Sequence, residues 1–220
     1  MTFTGWPPAA LDFYAGLEAN NSRAYWLAHK VTYDECVKAP FLELSATVEQ
    51  RFGPLHVFRP NRDTRFSKDK TPYKTAAAAV TEGEGGASYY VQLSAEGLYA
   101  GSGYYHLQSD QLERFRAAVA DGRTGPKLAV AVDALRKQRY EVAAREALKR
   151  APRGFAPDHP RVDLLRMKGI HVGRTFGAPR WMHTAAAGGR IVDVWRAADP
   201  VNRWLDRHVG PSTLAPPEPD

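Results

Sequence analysis

The fold is decided by the strand-rich middle of the chain, residues 76–101, which reads AAAAVTEGEGGASYYVQLSAEGLYAG. Three short β-compatible runs occur in it, at 76–80, 89–94 and 98–101, and clusters of Gly, Glu and Ser separate them. A further run at 55–59 precedes them. Consecutive short runs with turn residues between them are typical of an antiparallel meander.

Helical patterns precede this middle. Pro7 and Pro8 suit the start of a first helix, because proline is tolerated in the first turn. Ser22 can cap a second helix, and Pro40 can open a third. We therefore expect an N-terminal helical layer.

Helical patterns also follow the middle. The spacing of apolar residues predicts two amphipathic helices, a short helix, a strand and a last helix broken at Pro200; these cover 109–120, 126–136, 160–167, 170–174 and 191–205. A further strand or extended turn is expected before Pro152. Helices on both sides of a strand-rich middle indicate an α+β fold with a central, mainly antiparallel sheet of about four to six strands. We expect a single domain over 1–209 and a flexible Pro-rich tail over 210–220.

Composition excludes several classes of protein. With 44% hydrophobic and 25% charged residues among 220, the chain can build a core and is not generally disordered. The single cysteine, Cys36, cannot form an internal disulfide, which favours a reducing cytoplasm. No stretch reaches the roughly 18 apolar residues that a membrane helix needs, so no membrane partner is predicted.

The net charge of +6 is concentrated in two segments, 59–74 and 149–168. Each contains six basic residues and two acidic residues, which leaves the rest of the chain slightly acidic. This distribution favours focused anion-attracting sites over a uniformly basic coat. We predict that the two segments meet in space and form one concave site.

The first segment, RPNRDTRFSKDKTPYK from Arg59 to Lys74, carries the most informative chemistry. Arginine offers a fork of donors for phosphate or carboxylate oxygens, lysine a mobile charge and serine a hydroxyl, so this composition suits oxyanion binding. The predicted ligand-binding residues, two of them in the second segment, are Arg62, Arg65, Ser67, Lys68, Lys70, Tyr73, Lys74, Arg153 and Lys168.

Asp63, Asp69 and His159 are the candidates for acid or base catalysis beside these cations, although no reaction is assigned. The alternative is a solvated hairpin whose charges pair with the protein's own acidic helices, since surface ion pairs are common and contribute only ~0 to 1 kcal/mol each. Both interpretations stay open on residue types alone.

The run RDTRFSKDKTPYKT from Arg62 to Thr75 resembles the signature of an uncharacterised bacterial and fungal domain-of-unknown-function family. The resemblance extends through further segments, namely 20–23, 101–103, 150–155, His159-Pro160 and 164–168. It implies one compact domain with a shared site, and it implies no catalytic assignment.

Other motifs are weaker. Ser67 to Lys70 matches S-x-x-K, but the partner motifs S-D-N and K-T-G do not occur in the chain. No complete nucleotide-binding glycine motif and no H-x-x-x-H pair occurs, so we predict no metal site and leave the cofactor unassigned. Five tyrosines could stack on bases, but core packing of a half-buried sheet is the favoured interpretation: Tyr89, Tyr90, Tyr99, Tyr104 and Tyr105.

Two functions from different classes remain. The first is an anion-binding protein built on this motif, acting on a small phosphorylated or carboxylated metabolite, with or without catalysis. The second is a noncatalytic nucleic-acid or protein-binding module that uses the same cations. The Phe and Tyr side chains among the charges favour the first, because they suggest a shaped site. The oligomeric state is left open.

Overall fold

The computed structural model of the chain describes residues 2–65, 67–81 and 86–214. Phe66 of the motif and the end of the predicted tail lie outside these residues. The sheet has six strands in the order β1-β2-β3-β4-β6-β5, and its antiparallel pairs include β1 with β2, β2 with β3 and β5 with β6. The strands are β1 Leu55–Val57, β2 Ala76–Thr81, β3 Ser88–Ser94, β4 Gly97–Tyr104, β5 Glu141–Ala143 and β6 Ile170–Gly177.

Helices occur on both sides of these strands in the sequence, which confirms the predicted α+β class. None of the described helices is long and apolar enough to cross a membrane. The α-helices are α1 Ala9–Ala19, α2 Arg23–Ala28, α3 Lys30–Thr32, α4 Ala39–Phe52, α5 Ser109–Ala120, α6 Gly125–Lys137, α7 Val162–Leu165, α8 Ala186–Ala197 and α9 Asp199–His208; a 3-10 turn covers Arg180–His183.

The predicted helix at Pro40 is confirmed as α4, with Pro40 in its first turn. The sequence did not indicate that helical structure also precedes it and runs without a break from Lys30 to Phe52. A π-helical stretch, Tyr33–Lys38, joins α3 to α4, and within it the backbone N–H of Ala39 donates to the carbonyl of Asp34. Proline has no N–H to donate, and its ring clashes with the preceding turn of an α-helix. The wider π turn accommodates Pro40 without ending the helix.

Other boundaries agree with the sequence more closely. Ser22 caps α2, since its hydroxyl accepts the backbone N–H of Tyr25 at 3.2 Å. The last helix is interrupted as predicted, with Pro200 in the first turn of α9. The strand or extended turn predicted before Pro152 is the three-residue strand β5, whose Val142 pairs with Val172 of β6.

The described chain divides into two compact units. Unit 1 is drawn from Met1–Glu82, Tyr89–Ala100 and Thr175–Asp193, and unit 2 from Gly83–Ser88, Gly101–Arg174 and Val194–Asp220. The single domain over 1–209 stays a prediction.

The core of unit 1 is rich in aromatic side chains. The ring of Phe13 packs against those of Tyr14, Trp26 and Tyr33 at centroid distances of 5.1, 5.8 and 5.7 Å. Such tilted and edge-on pairs add about 0.5–1.5 kcal/mol each beyond the area they bury. This cluster ties α1 and α2 to the π-helical stretch, which makes the helical layer a rigid support.

The core of unit 2 is mainly aliphatic. Phe115 and Val119 of α5 and Leu128 of α6 are fully buried, together with Leu165 of α7. Within this unit the Asn202 amide donates to the Ser102 hydroxyl at 2.8 Å, a buried polar pair inside an otherwise apolar region.

The β3–β4 turn depends on Gly97, which has a φ of +111°. A Cβ at this position would lie 1.9 Å from the carbonyl oxygen of Gly177. We therefore expect Gly97→Ala to lower the free energy of unfolding by at least about 2 kcal/mol, measured by urea denaturation. Gly189→Ala is the control, since its Cβ meets nothing within 4 Å in helix α8. It should raise stability by about 0.5–1 kcal/mol, and equal effects of the two substitutions would contradict this account.

Candidate functional site

The motif forms the end of the β1–β2 hairpin in unit 1. Beyond the regular strands, the backbone N–H of Phe58 donates to the carbonyl of Ala78 at 2.9 Å. An isolated antiparallel bridge then pairs Asn61 with Tyr73. The N–H of Arg62 donates to the carbonyl of Pro72 at 2.9 Å. The bridge therefore fixes the base of a charged loop, 62–72, which we call the motif loop.

Tyr73 anchors this base to the helical layer. The side-chain amide of Asn21 donates to the Tyr73 carbonyl at 2.9 Å, and its oxygen accepts the Tyr73 N–H at 3.1 Å. The Tyr73 ring also stacks on Trp26, with centroids 4.4 Å apart and an interplanar angle of 11°. From the sequence, Asn21 is expected to end the first helix and belongs to the family resemblance, but nothing in the chain between Asn21 and Tyr73 predicts this contact.

Arg62 is held inside the motif loop. Its guanidinium forms an ion pair with Asp69 and donates to the Thr71 hydroxyl at 2.8 Å. Asp69 in turn accepts the backbone N–H and the hydroxyl of Thr71, at 2.9 and 2.8 Å. These hydrogen bonds from Thr71 lower the pKa of the Asp69 carboxyl, and the hydrogen bond from Arg62 lowers it by a smaller amount.

Arg65 is also paired within the motif loop. Its Nε lies 3.2 Å from each Asp63 oxygen, and its Nη2 lies 2.8 Å from Oδ2. The backbone N–H of Arg65 donates to the same carboxylate at 3.1 Å. The side-chain and backbone hydrogen bonds lower the pKa of Asp63 to about 2. The predicted catalytic candidates Asp63 and Asp69 are thus both engaged by arginines.

The remaining predicted residues of the motif loop differ in their contacts. Lys70 donates to the carbonyl of Thr64 at 2.8 Å. Ser67 is half-buried, and Lys68 is exposed. The alternative of a self-paired hairpin describes Arg62 and Arg65 well, except that the acidic partners belong to the loop itself.

A cleft of about 750 Å³ lies in unit 1, beside the base of the hairpin. One side comes from α2, α3 and the π-helical stretch, the other from β1, its extension and the residue that follows Tyr73. Its lining residues are Trp26, Lys30, Tyr33, Asp34, Lys38, His56, Val57, Phe58, Arg59, Pro60, Asn61 and Lys74. Of the predicted ligand-binding residues, only Lys74 lines this cleft.

Cations outnumber carboxylates on the described lining. Asp34 forms an ion pair with Lys30 one turn away. Lys74 and Arg59 have no ion-pair partner among residues 2–65, 67–81 and 86–214. Two effects lower the pKa of the Lys74 amine: its partial burial, which is the larger, and repulsion from Arg59. Burial raises the pKa of Tyr33 to about 12, so its phenol is neutral at ordinary pH.

The second predicted segment belongs to unit 2, and its convergence with the first stays a prediction. His159 accepts the backbone N–H of Arg161 on Nδ1 at 3.1 Å, which is a turn-forming contact. Lys168 pairs with Glu146 at 3.1 Å, and Arg153 is exposed. Arg161, which sequence reasoning passed over, donates to the carbonyls of Val119 and Ala120 at the end of α5.

The five tyrosines divide by burial. Tyr104 is buried, and its hydroxyl donates to Asp206 at 2.9 Å. Tyr89, Tyr90 and Tyr99 are half-buried on their strands. Only Tyr105 among the five is largely exposed, at 55%. The preference for core packing over a stacking platform therefore agrees with four of the five.

The fold and this site define an α+β protein with a self-paired hairpin loop beside a cleft lined by cations and aromatic rings. The chain belongs to the conserved hypothetical protein family DUF2461, whose family model matches residues 9–204. The predicted membership of an uncharacterised domain-of-unknown-function family is confirmed.

Searches of curated proteins and of solved structures each found no match. In the part of the chain that the structure describes, no group of three or more His, Cys, Asp or Glu side chains could hold a metal ion.

The pairing of Asp63 with Arg65 predicts a titration that can be measured. A carboxyl whose pKa is lowered in the folded state contributes stability above its ordinary pKa of ~3.9, and this contribution is lost as the pH falls towards the folded pKa. We expect the pKa of the Asp63 carboxyl to be about 2. The measurement is a pH titration of its carboxyl-carbon chemical shift by NMR. In Arg65→Gln its pKa should rise towards the ordinary value. An unchanged pKa in that variant would show that the ion pair does not form.

The double hydrogen bond of Asn21 predicts a loss of stability on truncation. Asn21→Ala leaves the N–H and the carbonyl of buried Tyr73 without their partner, so the free energy of unfolding should fall by about 1–3 kcal/mol in urea denaturation. Asn20→Ala is the matched control, because Asn20 is exposed. It should change stability by no more than about 0.5 kcal/mol, and a similar loss in both variants would contradict the anchoring role of Asn21.

Proposed function

We propose that the protein binds a small anionic metabolite, carrying a phosphate or carboxylate group, in the cleft of unit 1. The observation that carries the proposal is the placement of Lys74 and Arg59. Both line the cleft, and neither has an ion-pair partner among the described residues. The proposal assigns binding and no reaction.

Lys74 is placed for this role by its surroundings. It is half-buried, and its amine lies 5.4 Å from the centroid of the Phe58 ring. Partial burial strengthens the attraction between the charged amine and an anion, because less water screens it. An anion would also relieve the repulsion between Lys74 and Arg59 that contributes to the lowered pKa of the amine.

The size of the cleft favours a small molecule over a polymer. Its volume of about 750 Å³ lies within the ~300–1,000 Å³ typical of small-molecule sites. Lys30 and Lys38 line it as well, and both side chains are exposed, so they can add long-range attraction at the rim.

In this proposal the motif supplies Lys74 to the ligand and uses Arg62 and Arg65 to hold the motif loop. The sequence predicts a competing placement, with the anion on the cations of the motif loop, namely Arg62, Arg65, Lys68 and Lys70. It requires a ligand to displace the Asp63 carboxylate from the Arg65 fork. The two placements can be distinguished, because substitutions in the cleft weaken anion binding under the first and substitutions in the motif loop weaken it under the second.

The test is thermal unfolding at low ionic strength with inorganic phosphate or malonate. A ligand at a hundred times its dissociation constant adds about 2.7 kcal/mol to the stability of the native state, which raises Tm by about 5–10 °C for a chain of this length. We expect Lys74→Met and Arg59→Gln to lose most of this shift while they keep the unliganded Tm within a few degrees, since neither residue makes an ion pair within the described chain.

The controls are Lys68→Met and Arg65→Lys, which change loop cations outside the cleft lining. Both should keep the shift. If they lose it while Lys74→Met keeps it, the anion binds the motif loop and the cleft placement is overturned. If neither phosphate nor malonate nor any other small phosphorylated or carboxylated compound shifts Tm at low salt, the anion-binding proposal itself fails.

One observation in unit 2 favours the alternative of a nucleic-acid-binding module. The Arg145 guanidinium lies 5.6 Å from the centroid of the exposed Tyr105 ring. An exposed aromatic ring beside an arginine can stack on a nucleobase while the cation meets a phosphate. If this alternative holds, a short single-stranded oligonucleotide binds at low salt and Tyr105→Ala weakens its binding about tenfold, measured by fluorescence anisotropy.

A further inference from the structure

Phe58 is the apolar side chain of the cleft that the fold leaves unpacked. Its side chain is 38% exposed, whereas Trp26 and Tyr33 on the opposite side of the cleft are 8% and 4% exposed. An exposed phenylalanine is ordinary on a free surface. This one lies within a cleft, among cations, where a ligand would cover it.

Two neighbours contact the Phe58 ring and still leave 38% of the residue exposed. The Lys74 amine lies 5.4 Å from the ring centroid, and the His56 ring meets it at 6.0 Å and 73°. The Trp26 ring differs, because it already stacks on Tyr73 at 4.4 Å and packs against Tyr33 at 4.7 Å. Among the Phe, Tyr and Trp side chains of the described lining, Phe58 is therefore the one that is substantially exposed.

We propose that the anionic ligand carries a flat aromatic group, which packs on the Phe58 ring while the anion meets Lys74 and Arg59. This inference rests on the proposed function, since it names the class of ligand for the same cleft. The distance from the Lys74 amine to the ring is what joins the two parts: one bound molecule can contact the cation and the ring together.

The physical basis is the preference of one ring for another. Aromatic pairs gain free energy beyond the apolar area that they bury, through offset or edge-on contact. A saturated chain of similar size also buries apolar area on Phe58, but it gains no additional free energy from ring–ring contact. The difference in affinity between an aromatic and a saturated compound with the same anionic group therefore measures the contribution of the aromatic ring.

The experiment compares phenyl phosphate with n-butyl phosphate by isothermal titration calorimetry at low ionic strength. Both carry one phosphate monoester, and their apolar parts are of similar size. We expect phenyl phosphate to bind about three- to tenfold more tightly. Adenosine monophosphate and ribose 5-phosphate form a second pair. If the ratio of their affinities exceeds the ratio for phenyl and n-butyl phosphate, the aromatic group of the ligand is a nucleobase.

The variants are Phe58→Leu and Phe58→Ala. Leucine keeps an apolar side chain and removes the flat face, so Phe58→Leu should bind the two phosphates equally while its affinity for n-butyl phosphate changes little. Leu42→Ala is the matched control, because Leu42 is another exposed apolar residue of unit 1, at 51%, and does not line the cleft. It should keep the preference for phenyl phosphate.

The outcomes separate this inference from the proposed function. If both phosphates bind the wild-type protein with equal affinity, the aromatic ligand class is wrong and the anion site stands. If Phe58→Leu keeps the wild-type preference, the ring lies elsewhere and the inference is also overturned. If neither phosphate binds, while an oligonucleotide does, the cleft proposal and this inference fail together.

Discussion

The geometry of the site depends on one contact, the pairing of the Asn21 side chain with the peptide groups of Tyr73. An antiparallel strand would normally satisfy such groups, but here the amide of one asparagine supplies both the donor and the acceptor. The stacked ring of Trp26 covers the same residue. Because Lys74 follows Tyr73 directly, whatever fixes Tyr73 fixes the point of the backbone from which the Lys74 side chain enters the cleft. The cleft is therefore built on the hairpin base and not on the tip of the motif loop.

The cations of the first segment fall into two groups with different energetics. Arg62 and Arg65 are neutralised by Asp69 and Asp63 within eight residues of chain. Exposed pairs of this kind contribute little to stability, but their bidentate and capping hydrogen bonds hold an irregular loop in one shape. Lys74 and Arg59 lack such partners in the described chain, and one of them is half-buried. Repulsion between two cations of this kind is a cost that a bound anion removes.

The helices and strands could be predicted well wherever a local signal specifies them. The hydroxyl of Ser22, the alternation around 89–94 and the apolar spacing of 109–120 all act within a few residues, and the structure agrees with each. Pro40 lies in the first turn of α4, as its local rule predicts. That rule gives no sign of the π-helical stretch Tyr33–Lys38, which directly precedes α4. Strand β5 was predicted only as a strand or extended turn before Pro152, because three residues carry no period and their pairing partner lies about thirty residues away.

The site was harder to predict than the fold, for a related reason. Residue types identify a charged motif, but they do not say which cations its own carboxylates neutralise. Asp63 lies two residues from Arg65, and Asp69 lies seven from Arg62. Once those pairs form, Lys74 is the motif cation that remains on the cleft, beside helical residues some forty positions earlier that the motif gives no reason to include. The π-helical stretch contributes Tyr33, Asp34 and Lys38 to the same lining. A local deviation from α-helical geometry thus shapes the helical side of the cleft.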